Sequence, residues 1–245
     1  MLSIRNLSYS VQTEKGKLDI LKHVDLDVDS GKFIVITGPN GSGKTTLAKA
    51  VMGLVEATEG SILLDGTELM GKSVTERARL GVSYGFQQPP RFKGIKVGDL
   101  LSIASGKKLL RRAEACAYLT QVGLCAADYI DRDVDASLSG GEVKRIEIAT
   151  VLARKTPIMI FDEPEAGIDL WSFARLTDTF REIHDSKLAT IIIISHQERI
   201  IRLADEILLI AGGRLQARGS VDEIYPQIIA ETVTGCNLLE VDKTC

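Results

Sequence analysis

Gly38-Pro39-Asn40-Gly41-Ser42-Gly43-Lys44-Thr45-Thr46 has the G-x-x-x-x-G-K-[S/T] spacing of a loop that cradles phosphate. Glycines let such a backbone curl until successive N–H groups point at phosphate oxygens. A helix after the loop contributes its positive end, Lys44 a full charge, and Thr45 a hydroxyl for Mg²⁺. Asp162 and Glu163 close the apolar run Ile158-Met159-Ile160-Phe161. Ligands of an open α/β sheet sit beyond the carboxyl ends of its strands, which brings these acids beside the phosphate loop. Asp162 suits the Mg²⁺ shell, through water, and Glu163 suits orienting and polarising a water for in-line attack on a γ-phosphate. His196 follows another apolar run, Ala189–Ser195, and reaches the same edge. There it can donate a hydrogen bond to the γ-phosphate and help to hold that water. The catalytic candidates are therefore Glu163, His196 and Lys44.

Leu138-Ser139-Gly140-Gly141-Glu142 opens a helix that runs to about Arg154. Ser139 and Glu142 make a capping box, which by itself accounts for both residues. Two glycines in a first helical turn are costly unless something must approach the backbone closely, and a helix start stripped of side chains binds anions. Because Gly38–Thr46 already holds one face of a nucleotide, Ser139, Gly140 and Gly141 suit the γ-phosphate of a nucleotide held by another subunit. Gln87 ends the run Leu80–Phe86. A neutral amide can ligate Mg²⁺ once nucleotide is present, so Gln87 joins Thr45 and Asp162 as a metal candidate, although surface glutamine after a strand is also common.

These residues need strands and helices to hold them. Phe33–Ile36 reads as a buried strand before the phosphate loop, and Leu47–Met52 as a helix after it. Leu2/Ile4, Leu7/Tyr9/Val11 and Val24/Leu26/Val28 alternate as half-buried strands around a polar loop at Gln12–Lys17. Ser61–Gly66 reads as a strand and turn. From Arg91 to about Ala136 the β character fades, and Leu100–Ile103 and Ala113–Val122 read as helical. Between them, Lys107–Arg112 is a basic run expected on a solvated helix face. From Leu138 to Gly219 helices and short apolar strands alternate, which predicts βαβ units and a parallel sheet. Ser220–Ile229 is expected to be a helix.

With 245 residues, 44% hydrophobic and 26% charged, the chain is long enough for one large domain or two packed lobes. A net charge of −3 provides no basic field for nucleic acid. Apolar runs such as Ile191–Ile194 and Ile207–Ala211 are too short to cross a bilayer, and Met1–Arg5 opens a strand-like alternation rather than a signal peptide. A cytoplasmic location without direct membrane insertion is expected. Cys116, Cys125, Cys236 and Cys245 lack C-x-x-C spacing and are expected to be free thiols, and His23, His184 and His196 lack metal-ligand spacing.

Taken in order, Gly38–Thr46, Gln87, Leu138–Glu142, Ile158–Glu163, Gly167-Ile168-Asp169 and His196 resemble the motif set of an ABC-type ATPase. The resemblance implies an α/β fold: a RecA-like P-loop core with an antiparallel β lobe and an inserted helical lobe. Core and β lobe would take residues 1–90 and 138–245, and the helical lobe residues 91–137. It also implies ATP and Mg²⁺ as ligands and a head-to-tail pair around two ATP, with Ser139 and Gly141 acting in trans and Asp169 at the subunit junction. Within the family, Phe86-Gln87-Gln88-Pro89 with Gly94, and Gly140–Ile148, are similar to the SufC branch, the soluble ATPases of iron–sulfur cluster assembly. That branch implies a SufB-like (SufB/SufD) scaffold as partner, reached through the helical lobe and the Gln87 region. The alternative is the ATP-binding subunit of a membrane transporter. Val11 stands where many members place an adenine-stacking aromatic, and Tyr9 lies two residues away, so either could contact the base.

Overall fold

The computed structural model describes residues 1–14, 16–108 and 110–234. Alternating apolar residues give β1 (Leu2–Thr13) and β2 (Gly16–Val28), an antiparallel hairpin in which Leu2 faces Val28, Ile4 faces Leu26 and Leu7 faces Val24. Its strands run farther than the polar residues suggest. Gln12 pairs with Lys17 and Thr13 with Gly16, so the loop expected over Gln12–Lys17 contracts to the tip of a solvent-facing hairpin. The register shifts three times, between Ile4 and Leu7, between Leu7 and Tyr9, and between Tyr9 and Ser10; at the last, Tyr9 pairs with Leu21 and Ser10 with Asp19, leaving Ile20 as the extra residue of a bulge.

After a turn at residues 29–32 the chain enters β3 (Phe33–Thr37), buried at every position. Unbroken burial belongs to a strand covered on both faces. The phosphate loop leads from β3 into α1 (Lys44–Met52). β4 (Glu59–Leu64) then returns to pair with β1, and β5 (Thr67–Glu68) completes a four-stranded antiparallel sheet in the order β2-β1-β4-β5. α2 (Val74–Arg79) has a complete Ser73–Glu76 capping box, and its buried Arg77 donates to the carbonyls of Ala50 and Val51 at 2.6 and 3.0 Å. A cation at the carboxyl end of α1 satisfies orphan carbonyls and complements the dipole, which fixes the helix that starts at Lys44.

β6 (Val82–Gly85) ends beside Gln87, and the chain then makes three helices, α3 (Val97–Ala104), α4 (Arg112–Gln121) and α5 (Ala126–Tyr129). In the basic run Lys107–Arg112, the described residues before Arg112 form a loop between α3 and α4, and only Arg112 enters the helix, as the first residue of α4. Lys107 and Arg111 pair with Glu114, and Arg112 with Asp131, so these three cations find local partners. α6 (Gly140–Arg154), β7 (Ile158–Asp162), α7 (Leu170–Ser186), β8 (Thr190–Ile194), α8 (Glu198–Ile201), β9 (Glu206–Ala211), β10 (Arg214–Gly219) and α9 (Val221–Thr234) follow.

The second sheet has the order β10-β9-β3-β8-β7-β6, parallel except where β10 pairs antiparallel with β9. Its side chains alternate between two cores. Phe33, Val35, Phe161, Ile191 and Ile193 face the helices, while Ile34, Ile36, Ile160, Ile192 and Ile194 face α1 and the antiparallel sheet. Three layers therefore hold the carboxyl ends of β3, β6, β7 and β8 at one edge. Among the described residues no helix is long and apolar enough to cross a membrane. Cys116 is partly buried and Cys125 exposed, both free thiols, whereas Cys236 and Cys245 lie outside the described residues.

Candidate nucleotide site

The phosphate loop springs from the end of β3. Gly38 has φ 139°, and a Cβ there would lie 2.0 Å from the Ile210 carbonyl oxygen on β9, so only glycine fits. α1 begins at Gly43 with no side chain capping its first N–H groups. Uncapped donors at a helix start favour an anion. The Lys44 ammonium is buried and donates to the carbonyls of Gly38 and Pro39 at 2.7 and 2.8 Å. Desolvation lowers its pKa, with Glu163 and Asp162 acting in the opposite sense. The Ser42 hydroxyl is buried in the same loop and finds no hydrogen-bond partner among the described residues. A bound phosphate would satisfy it.

At the end of β7, Asp162 is fully buried. Its carboxylate accepts hydrogen bonds from Thr45 Oγ1 at 3.1 Å and from the Tyr84 hydroxyl at 3.0 Å. Burial raises its pKa, and these two donors pull the other way. Thr45 and Asp162 are thus oxygen donors side by side, the ligand chemistry that Mg²⁺ takes. Among the described residues no cluster of three His, Cys, Asp or Glu side chains could hold a metal.

Glu163 follows in a left-handed conformation, φ 47°, uncommon for a residue with a side chain. Its N–H donates to the Ile194 carbonyl at 3.0 Å, which ties the end of β7 to β8. Its carboxylate accepts a 2.7 Å hydrogen bond from Gln87 Nε2. His196, beyond β8, lies with Nδ1 3.3 Å from the Thr37 hydroxyl. Desolvation first, then the nearby Lys44 charge, lowers its pKa and favours neutral imidazole, with one ring nitrogen carrying a proton. Between these elements opens a cleft of about 360 Å³, lined by Ile20, the loop from Asn40 to Thr46, Gln87 and Glu163.

Ile20 was not legible as a site residue. It is the bulged residue of β2, and the bulge turns it toward the phosphate loop, where its carbonyl lies against Gly43 and Gly213. Tyr9 packs on the core beneath the antiparallel sheet. Neither Tyr9 nor Val11 lines the cleft. Tyr84 was missed too, since a tyrosine inside a strand reads from sequence as packing.

Ser139, Gly140 and Gly141 do not join this cleft. Ser139 caps α6 with Glu142 in the expected capping box, and the Tyr129 hydroxyl donates to Glu142, holding its carboxyl down at about 2. The two glycines have different reasons. A Cβ on Gly141 would meet the Gly167 carbonyl at 2.5 Å, whereas one on Gly140 would meet nothing within 4 Å. Gly141 keeps α6 close to the segment before α7, and Gly140 leaves open backbone facing away from the chain. Asp169 caps α7 by accepting from the N–H groups of Trp171 and Ser172, each at 3.0 Å.

A phosphate loop on a parallel sheet, with two acids at the end of a neighbouring strand, defines a nucleotide-binding domain of the P-loop class. The family model described as ABC transporter matches residues 21–166. MJ0035 of Methanocaldococcus jannaschii, described as an uncharacterized ABC transporter ATP-binding protein, is 37% identical over 86% of this chain and 86% of its own length. The spermidine/putrescine import ATP-binding protein PotA of Bacteroides fragilis is 34% identical over 91% of this chain. The sulfate/thiosulfate import ATP-binding protein CysA 2 of Rhizobium meliloti is 31% identical over 92% of it. The chain spans 49% of PotA and 62% of CysA 2. Among solved structures, the dimeric ATP-binding cassette MJ0796 bound to ADP and Pi superposes with a TM-score of 0.81 at 21% identity, covering 90% of this chain and 99% of that one. The chain belongs to the ABC transporter family, as an ATP-binding ATPase with that family's cassette fold.

Proposed function

We propose that two copies of this chain close head to tail around two MgATP, hydrolyse them, and pass the motion of closing to a partner. One observation carries the reading. The cleft gathers Lys44, Thr45, Gln87 and Glu163, while Ser139 and Gly140 stand exposed on a helix start that no described residue covers. Half of a phosphate site thus lies in the cleft and the other half faces outward. Association of the two halves across a two-fold axis completes both at once.

In this reading the backbone of Gly38–Thr46 and the Lys44 ammonium hold the β- and γ-phosphates, and Ser42 finds its missing partner. Thr45, Asp162 and Gln87 would hold Mg²⁺, which would supply positive charge against the phosphate oxygens. Glu163 accepts a proton from the attacking water, and neutral His196 donates to the γ-phosphate. Gln87, which donates to the Glu163 carboxylate, must let go of it before that carboxylate can take the proton. Ser139, Gly140 and Gly141 of the second copy bind the same γ-phosphate from the far side. Ile20 offers the base an aliphatic surface.

The core and β lobe take residues 1–90 and 138–245, and the helical lobe residues 91–137. That lobe carries the partner contact, beside a groove of about 160 Å³ lined by Phe86, Phe92, Leu100 and Val143 next to Gln87. The names of the relatives support a membrane-embedded permease as the partner, with this chain as the ATP-binding subunit of a transporter. A second reading, the motor of a SufB-like (SufB/SufD) scaffold in iron–sulfur cluster assembly, has its own support in α6. There Lys144 and Glu147 form a buried ion pair at positions within the Gly140–Ile148 stretch that is similar to the SufC branch. In both readings the chain works at the cytoplasmic side, without nucleic acid. Isolating the native complex through a tag on this chain separates the two. Co-purification of a permease supports the transporter subunit, and co-purification of a soluble scaffold without a permease overturns it in favour of cluster assembly.

A further inference from the structure

Lys144 and Glu147 lie one turn apart on α6 and are almost wholly buried, with side chains 2% and 9% exposed. Lys144 Nζ donates to the Phe86 carbonyl and, at 3.2 Å, to the Asp162 carbonyl, and lies 3.5 Å from the Gln87 carbonyl. Glu147 Oε1 accepts the Phe86 N–H at 2.9 Å. Its other oxygen sits 3.6 Å from Lys144 Nζ and has no hydrogen bond. Burial pushes the Glu147 carboxyl up to about 7, against the pull of the lysine, so this arrangement comes at a cost.

As packing alone, an apolar pair of similar size would avoid the desolvation that a buried ion pair seldom repays. What an apolar pair cannot do is grip both polar groups of Phe86 and the carbonyl of Asp162. We infer that Lys144 and Glu147 are positioning residues: they hold the backbone beneath Gln87 and Asp162 in register with α6, so that both metal candidates move with the helix that bears Ser139 and Gly140. The first turn of α6 faces a second copy, and its second turn grips the metal side of its own cleft. A shift of the helical lobe therefore reaches both half-sites through one rigid joint. The inference rests on the proposed roles of Gln87 and Asp162.

The test measures ATP affinity by calorimetry with Mg²⁺ and with EDTA, together with melting temperature and turnover, for the full chain and for Lys144→Met/Glu147→Leu. The double variant leaves the Phe86 N–H and the Phe86 and Asp162 carbonyls without these partners, so it is expected to melt somewhat below the wild type while keeping its EDTA affinity within about threefold. Its Mg²⁺-dependent gain in affinity should fall by about tenfold, with a comparable loss of kcat, because small misplacements of catalytic groups have large effects. A purely structural pair would leave the Mg²⁺ gain and kcat of the double variant at wild-type values, and that result overturns the inference. So does a wild type with no Mg²⁺ gain. Absence of turnover in a wild type that does show the gain counts against the hydrolytic reading instead. Should the double variant not fold, Glu147→Gln against Glu147→Leu decides. Glutamine still accepts the Phe86 N–H and is expected to keep most of the gain, whereas leucine should lose it, and equal losses refute the positioning role.

Discussion

Glu163→Gln is expected to bind ATP as the parent does while steady-state hydrolysis falls by about a thousandfold. Glutamine has the size of glutamate and can hold the same place above β7, with its N–H still on the Ile194 carbonyl. What it lacks is an oxygen basic enough to take a proton from water. No other described carboxylate lines the cleft, and Asp162 is buried and engaged by Thr45 and Tyr84, so no neighbour can take over. If closure needs ATP and opening needs its hydrolysis, the variant should also accumulate as a dimer in MgATP. Trp171, the single tryptophan, is 84% exposed and stands two residues after Asp169, so its emission offers a label-free signal of that association. Turnover equal to wild type would remove Glu163 from its assigned role.

Lys44→Ala is expected to weaken ATP binding by about 30- to 150-fold, the equivalent of losing about 2–3 kcal/mol of charge-assisted hydrogen bonding. In the chain without nucleotide the ammonium is held over the loop by the carbonyls of Gly38 and Pro39, already partly desolvated and aimed along the route phosphates must take. Binding exchanges two neutral acceptors for anionic ones, a gain that the alanine variant forgoes. The fold should survive, because the loop keeps its glycines and α1 keeps its apolar face against the core. Calorimetric titration measures the difference directly. Affinity equal to the parent would overturn the phosphate-loop assignment.

What could be read from sequence was what chemistry forces into short, ordered strings. Gly38–Thr46 is contiguous, and Asp162-Glu163 and His196 each end an apolar run. Such runs become buried parallel strands, so the side chains after them arrive at one edge. Contacts made by long-range packing were not legible. Ile20 enters the cleft through a register slip that leaves no mark in a stretch of alternating residues. Tyr84 reaches Asp162 only because β6 lies beside β7. Lys144 and Glu147 carry charges that give no sequence sign of burial, yet α6 is enclosed between the sheet and α3–α4, and both side chains find polar backbone there. In the basic run, the helix-face reading holds only for Arg112 at the start of α4, because Glu114 in the first turn holds Lys107 and Arg111 in the loop before the helix. α2 was overlooked although Ser73-x-x-Glu76 marks its start, since a two-turn helix shows too little periodicity.

The division of the site between two copies is the central claim, and mixing two inactive variants tests it most directly. Ser139→Arg should block the half-site on α6, and Glu163→Gln the half-site in the cleft. Each variant alone is expected to be inactive. Combined in equal amounts, half of the dimers pair a sound Glu163 with a sound Ser139 across one of their two sites, so activity should return to roughly a quarter of wild type. No recovery at any mixing ratio, with both variants folded and binding ATP, would mean that each chain completes its site alone.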